Sequence, residues 1–297
     1  MPEGDTVWRQ ARSLHKALAG RIAHSTSFRY PNVAEYDFSG QRIHGALAVG
    51  KHLLLRIGEH SVHSHLKMDG IWHVYGVDDN GNPARWKRPA HLARAVVNAN
   101  ARQDASGQLV QGSTPVSAVG FTLGLLEIFP TTEENDRLGY LGPDLLGADW
   151  NPALALENLL AQPERPIGPA LLDQKNLQGI GTIFRAETLF LAGLHPMSPV
   201  GSVPDLPRVI EIAHLLLVAN RMRPKRVTRT DREPLWCYGR GGRACYRCGR
   251  PIISEEISNL GTGAERFGVD RYVQTEDTTS RISYRCPQCQ VMYGEQV

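Results

Sequence analysis

The sequence predicts a multidomain α+β fold: a β-rich first part built as a sandwich or barrel, a helical middle and a small cysteine-bearing module. Three observations predict it. Short apolar runs separated by Gly, Asn, Asp and Pro fill the chain up to about residue 130. From residue 133 to about 223 the texture turns Leu- and Ala-rich with helical periodicity, punctuated by Pro143, Pro152, Pro163, Pro166, Pro169 and Pro196. After a basic stretch, two Cys-x-x-Cys pairs close the sequence.

Within the first part, residues 5–19 place Val7, Ala11, Leu14 and Leu18 at helical spacing. The apolar runs at 43–49, 53–57, 71–75, 93–98 and 121–129 have the length of strands, and turn residues such as VDDNGNPA separate them. In the middle, residues 210–222 (IEIAHLLLVANRM) predict a helix buried along most of its surface. The segment PKRVTRTDREP that follows reads as a basic, mobile linker.

Composition excludes several classes. At 297 residues and 41% apolar content the chain is long enough for about two cores and is not disordered throughout. It has no apolar run of about 18 residues, so no membrane-spanning helix is expected. The start, MPEGDTVWRQ, lacks the apolar stretch of a secretory signal. Five cysteines, four of them in pairs, fit metal binding in a reducing cytoplasm better than a disulfide scaffold. Net charge is only +3, yet residues 221–250 carry ten Lys or Arg against two acids. That local excess suits a polyanion such as nucleic acid.

Cys245-x-x-Cys248 and Cys286-x-x-Cys289 have the pattern of a closed four-thiolate zinc site, structural because no coordination position stays open. The spacer between the pairs is 37 residues, longer than usual, and residues 258–277 read as a disordered insertion. Cys237, in a Trp-Cys-Tyr run, reads as a buried apolar residue rather than a fifth ligand. In residues 171–196 (LLDQKNLQGIGTIFRAETLFLAGLHP) one helix ends near Asn176 and a second starts at Thr182. Gly179 and Gly181 allow a tight turn between them, whose amides would face a phosphate. Such a clamp grips a DNA backbone without reading sequence.

MPEG at the start, LLDQKN…GIGTIFRAE in the middle and the paired cysteines at the end occur here in one order. Together they resemble the formamidopyrimidine-DNA glycosylase/endonuclease VIII family of base-excision repair enzymes across the whole chain. The resemblance implies an N-terminal β-sandwich catalytic domain at 1–130 and a helix-two-turn-helix DNA-binding domain at 131–235. A zinc-ribbon-like hairpin with the insertion would then occupy 236–297, and DNA would lie between the halves. It further implies a cytoplasmic, monomeric enzyme acting on damaged DNA.

The resemblance also assigns roles. Once Met1 is removed, the secondary amine of Pro2 would attack C1′ of the damaged nucleotide. The resulting iminium has no N–H to lose and serves as an electron sink for β- and then δ-elimination. Glu3 matches the acid/base carboxylate, which burial would tune toward neutral pH. Lys51, after a turn glycine in AVGKHLLLRI, matches the catalytic lysine at the lesion's sugar and phosphate. Arg281, five residues before Cys286, matches the arginine of the zinc hairpin, and Asn176 the phosphate-binding asparagine. Chemistry at C1′ requires the nucleotide to be flipped out. In HSHLKMDGIW, residues 63–72, Met68 would fill the gap and Lys67 would face the orphaned partner base.

Departures from the pattern point to the branch. The Arg-Arg-Phe-Gly element of formamidopyrimidine glycosylases is absent from EIFPTTEENDRLGYLGPDLL, which favours the endonuclease VIII side and oxidised pyrimidines. Lys67 stands where that branch often has glutamine, and Tyr140 where it often has arginine. Two other readings fit part of the pattern. A non-catalytic damaged-DNA-binding protein would need neither Pro2, Glu3 nor Lys51. The other is an abasic-site lyase with weak glycosylase activity, which comparison of base release with strand nicking would distinguish.

Overall fold

The computed structural model describes residues 2–78, 84–104, 106–230, 233–257 and 281–294. The chain forms two compact units, Met1–Gly139 and Tyr140–Val297. The insertion expected at 258–277 lies outside the described residues.

The first unit is a β-sandwich with one long helix, α1 (Gly4–Leu18). Two antiparallel sheets of four strands face each other across the core. One has the order β1 (Ala23–Phe28), β6 (Ala93–Ala99), β7 (Val116–Phe121), β5 (Ile71–Gly76). The other runs β2 (Ile43–Val49), β3 (His52–Ile57), β4 (His60–His65), β8 (Leu125–Pro130). A short helix, α2 (Glu134–Leu138), closes the unit. Val7, Ala11, Leu14 and Leu18 of α1 are buried with Leu53, Leu55, Ile57 and Val62, as the 3.6-residue period of α1 predicts.

Several strands differ from the sequence reading, and β1 (AHSTSF) lies outside its apolar runs. β4 (HSVHSH) looks polar, yet it is buried from Ser61 onward, with Val62 in the core. The apolar run at 121–129 is not one strand. It breaks at residues 122–124, where the chain leaves the β7 sheet for the β8 sheet. Thr122 takes φ +50° there, a conformation that a β-branched residue rarely adopts. Residues 66–70 make the matching crossover from β4 to β5, with Lys67 at φ +51°. The crossovers lie side by side, since the Gly124 amide donates to the His65 carbonyl. A Cβ at Gly124 would stand 2.0 Å from Lys67 Cγ, so glycine makes room for the lysine stem.

The second unit carries α3 (Pro152–Leu160), α4 (Ile167–Leu172), α5 (Thr182–Ala192) and α6 (Leu206–Asn220), then the hairpin of β9 (Ile253–Ile257) and β10 (Arg281–Arg285). Asn151 caps α3 and Asp205 caps α6 through their side-chain oxygens, each just before a helical proline. α5 ends at Gly193, which takes φ +71°. The helix expected at 210–222 starts earlier and is amphipathic rather than buried nearly all round, for Leu215 is exposed while Val209, Ile210, Ala213 and Leu217 are buried.

The expected mobile linker is also corrected where it is described, up to residue 230. Val227 N–H donates to Asn220 Oδ1, Thr228 Oγ1 donates to Glu187, and the Arg229 guanidinium lies over Trp236 and Tyr246 at 5.0 and 3.7 Å. Among the described residues no helix is long and apolar enough to cross a membrane.

Candidate functional site

Pro2 and Glu3 form the entry to α1. Glu3 is extended at the N-cap, its carbonyl accepts from Thr6 and Val7, and the residue is 0% exposed. Lys51 is the second residue of a two-residue turn between β2 and β3, with Gly50 at φ +56° as the first. It is 8% exposed. Packing relates the two sites. Gly20 N–H donates to Ile43 O, and Ala46 N–H donates to His15 Nδ1, so α1 runs back along β2 toward its turn. From His15 to Pro2 a helix spans about 20 Å. From Ala46 to Lys51 a strand spans about 16 Å. The helix start and the Lys51 turn therefore lie at the same end of the sandwich.

Met68 is 58% exposed on the crossover between the sheets. Its loop is tightly held. Gly70 N–H donates to Leu66 O, His65 Nδ1 accepts from Lys67 N–H, and Arg88 Nη1 donates to Asp69 O at 3.2 Å. The Trp72 amide after the loop donates to Gln10 Oε1 of α1 at 2.7 Å. A rigid loop thus presents an apolar side chain to solvent, the arrangement an intercalating wedge needs.

In the second unit the glycine-rich turn is built differently from expectation. Gly179 takes φ +96°, but its amide donates inward to Gln174 Oε1 at 3.0 Å rather than facing a phosphate. Gly181 is buried in extended backbone as the N-cap of α5. Asn176 Nδ2 donates to Ala170 O, which ties the turn to α4. Gly142 supports the turn from the LGPD segment. A Cβ there would meet the carbonyl oxygens of Lys175 and Asn176 at 2.5 and 2.6 Å.

Cys245, Cys248, Cys286 and Cys289 bring their sulfurs within 4.8 Å of one another. Two of the separations are 3.9 Å (Cys245–Cys289) and 3.4 Å (Cys248–Cys286). A tetrahedron with metal–sulfur bonds of about 2.3 Å has edges of about 3.8 Å, so the spacing fits a metal ion. Backbone amides aim at the sulfurs too, Arg247 N–H at Cys245 and Cys289 N–H at Cys286. Burial raises the Cys286 and Cys289 thiols above the ordinary cysteine value, while the Arg250 amide lowers Cys248. Four close thiolates need a cation among them, and the donor set suits one. Cys237 stands apart from this group. It is buried, burial pushes its thiol well up, and its sulfur donates to Ala186 O.

Arg281 begins β10 opposite Ile257, at the described end of the hairpin. Arg185, fully buried on α5, donates from Nη2 to Ile282 O at 3.0 Å and so fixes the strand beside it. Glu187, half a turn further along α5, is 0% exposed. It accepts from the amides of Trp236, Cys237 and Tyr238 at 2.8–2.9 Å. Both residues lie in the GIGTIFRAE motif, but the sequence gives neither a role of its own, only a charge inside an apolar helix pattern.

The basic stretch is partly structural. Arg226, Arg229, Arg240 and Arg247 lie over Phe184, Trp236, Tyr246 and Phe190, leaving Arg223, Lys225, Arg243 and Arg250 among its exposed cations.

Comparison with known proteins agrees with these features. The family model described as "Formamidopyrimidine-DNA glycosylase N-terminal domain" matches residues 1–106, and the "Formamidopyrimidine-DNA glycosylase H2TH domain" matches residues 141–209. A Streptomyces coelicolor protein named "Probable endonuclease 8 2" is 41% identical over 98% of this chain and 94% of its own length. A Mycolicibacterium smegmatis protein named "DNA-(apurinic or apyrimidinic site) lyase Nei2" is 36% identical over 98% of this chain and 99% of its own. The fold matches the Lactococcus lactis Fpg complexed with abasic-site DNA, with a TM-score of 0.69 at 20% identity, covering 97% of this chain and 99% of that one.

Proposed function

The chain belongs to the formamidopyrimidine-DNA glycosylase/endonuclease VIII family, and from that premise we propose that it excises damaged bases from DNA and then cleaves the abasic strand. The observation that carries the reading is the burial of two ionisable side chains, Glu3 and Lys51, at the end of the sandwich where Pro2 opens α1. Buried ionisable groups beside a nucleophile are the hallmark of a site built for chemistry.

In this reading the Pro2 nitrogen lone pair forms the bond to C1′ as the glycosidic bond breaks, and the leaving base takes a proton. Glu3 supplies and withdraws protons around C1′. Lys51 holds the sugar and phosphate. The nitrogen then loses its proton and the C1′–O4′ bond breaks, O4′ taking up a proton, so that the sugar opens to an iminium. The iminium accepts the electron pair released when the C2′ proton is removed, which expels the 3′ phosphate, and δ-elimination follows. Met68 fills the space vacated by the flipped nucleotide and Lys67 faces the partner base. Asn176 and Arg281 meet the DNA backbone, while Gly179 and Gly181 shape the turn that carries Asn176. The preferred substrates are oxidised pyrimidines, and the form proposed is a cytoplasmic monomer. Oligonucleotides with different lesions, single- and double-stranded, test this when base release and strand nicking are scored separately. Nicking of abasic DNA alone would favour the second reading, a lyase with weak glycosylase activity, in keeping with the name of the M. smegmatis relative.

Cys245, Cys248, Cys286 and Cys289 hold zinc in this reading, and the ion contributes folding energy to the hairpin. Chelation is expected to weaken DNA binding and to change the far-ultraviolet circular dichroism. Unchanged affinity after verified zinc loss would contradict this role. Binding is also expected to weaken with salt. Replacing Arg243 and Arg250 by Gln should lower the slope of log K against log salt by about 2, roughly one per lost phosphate contact. An unchanged slope would remove these residues from the interface.

A further inference from the structure

On the sheet that carries Lys51, a row of polar side chains has no part in the reaction described above. His52 pairs across the strands with His65, and His63 with Glu127. By strand alternation all four lie on the face opposite Leu53, Leu55 and Val62, which enter the core. His52 Nδ1 is 2.9 Å from His63 Nε2, and His63 Nδ1 is 3.2 Å from Glu127 Oε2.

The chemistry of the end group fixes one link of this chain. An ionised carboxylate only accepts, so His63 Nδ1–H donates to Glu127, and one proton is shared between His63 Nε2 and His52 Nδ1. The chain is consistent electrostatically. Its bond to His63 holds Glu127 below the ordinary carboxylate range. Burial, with His63, His65, Lys51 and Lys67 nearby, keeps His52 far below the ordinary histidine range and therefore neutral.

The row reaches two functional turns. His52 directly follows Lys51. His65 meets the His52 ring edge-on at 5.2 Å, and its Nδ1 accepts the amide of Lys67, the residue at φ +51° that precedes Met68. We propose that His52, His63 and Glu127 are positioning residues that hold the Lys51 turn and the Met68 loop in one register. The proposal rests on the assignment of Lys51 and Met68 to the reaction.

Its test is steady-state nicking of an abasic duplex, with borohydride trapping, by wild type, His63→Leu, His63→Gln and Glu127→Gln. His63→Leu removes the hydrogen-bond partner of His52 and should lower kcat roughly ten-fold with little change in KM, as expected for small misplacement of a reacting group. His63→Gln keeps an amide that bonds His52 in either direction and should recover most of the loss. If His63→Leu and His63→Gln lose equally, or neither loses, the row is only packing and the proposal is overturned. Should His63→Leu fail to fold, Glu127→Gln decides, and a wild-type kcat in that variant overturns the proposal. Wild-type protein that neither nicks nor traps abasic DNA overturns the assigned reaction as well. Wild type that does both, beside indifferent variants, overturns this inference alone.

Discussion

Glu187→Leu is expected to unfold the C-terminal part of the second unit. Its carboxyl group accepts three consecutive backbone amides, those of Trp236, Cys237 and Tyr238, together with the Thr228 hydroxyl. Leucine of similar volume leaves these donors unpaired inside the protein. Each unpaired buried donor costs about 1–3 kcal/mol, so the three amides together cost on the order of 3–9 kcal/mol. That is comparable with the whole stability of a typical domain. The same amides belong to the segment that leads into Cys245, so zinc retention should fall with stability. Urea denaturation with zinc quantification checks this. A midpoint within experimental error of wild type would show that the amides find other partners.

Glu3→Gln is expected to separate the two halves of the reaction. Excision requires protonation of a leaving base, whereas an abasic site has no base to expel. General acid–base catalysis of this kind is worth about 10²–10⁴-fold. Base release from lesion-bearing DNA should therefore fall by about that factor, while nicking of a preformed abasic site falls less. The side chain is 0% exposed at the N-cap of α1, and the glutamine is nearly isosteric, so the fold should persist. Single-turnover assays on the two substrates measure the ratio. An equal loss on both would mean that Glu3 acts only after the base has left.

Much of the fold was legible because periodicity reports burial. α1 shows in Val7, Ala11, Leu14 and Leu18, and the start of α5 at Thr182 follows from the glycines before it. The Lys51 turn shows through Gly50, and the cluster of four cysteines through their spacing. Other features were hidden for physical reasons. β4 carries His and Ser where the pattern of a buried strand would be apolar, because its outward face is a hydrogen-bonded row. The break between β7 and β8 leaves no gap in hydrophobicity, since the chain changes sheets through Thr122 and Leu123. Charge counting took the basic stretch for a surface. Several of its arginines lie over aromatic rings, a contact that depends on residues distant in sequence, such as Phe184 and Phe190.

The nucleophile itself is open to direct measurement. Wild-type protein is incubated with an abasic oligonucleotide and borohydride, and the adduct is digested and mapped by mass spectrometry. The expected product carries the sugar on the Pro2 nitrogen of a chain from which Met1 has been removed. An adduct on a lysine, or full activity in protein that keeps Met1, would contradict the proposed mechanism.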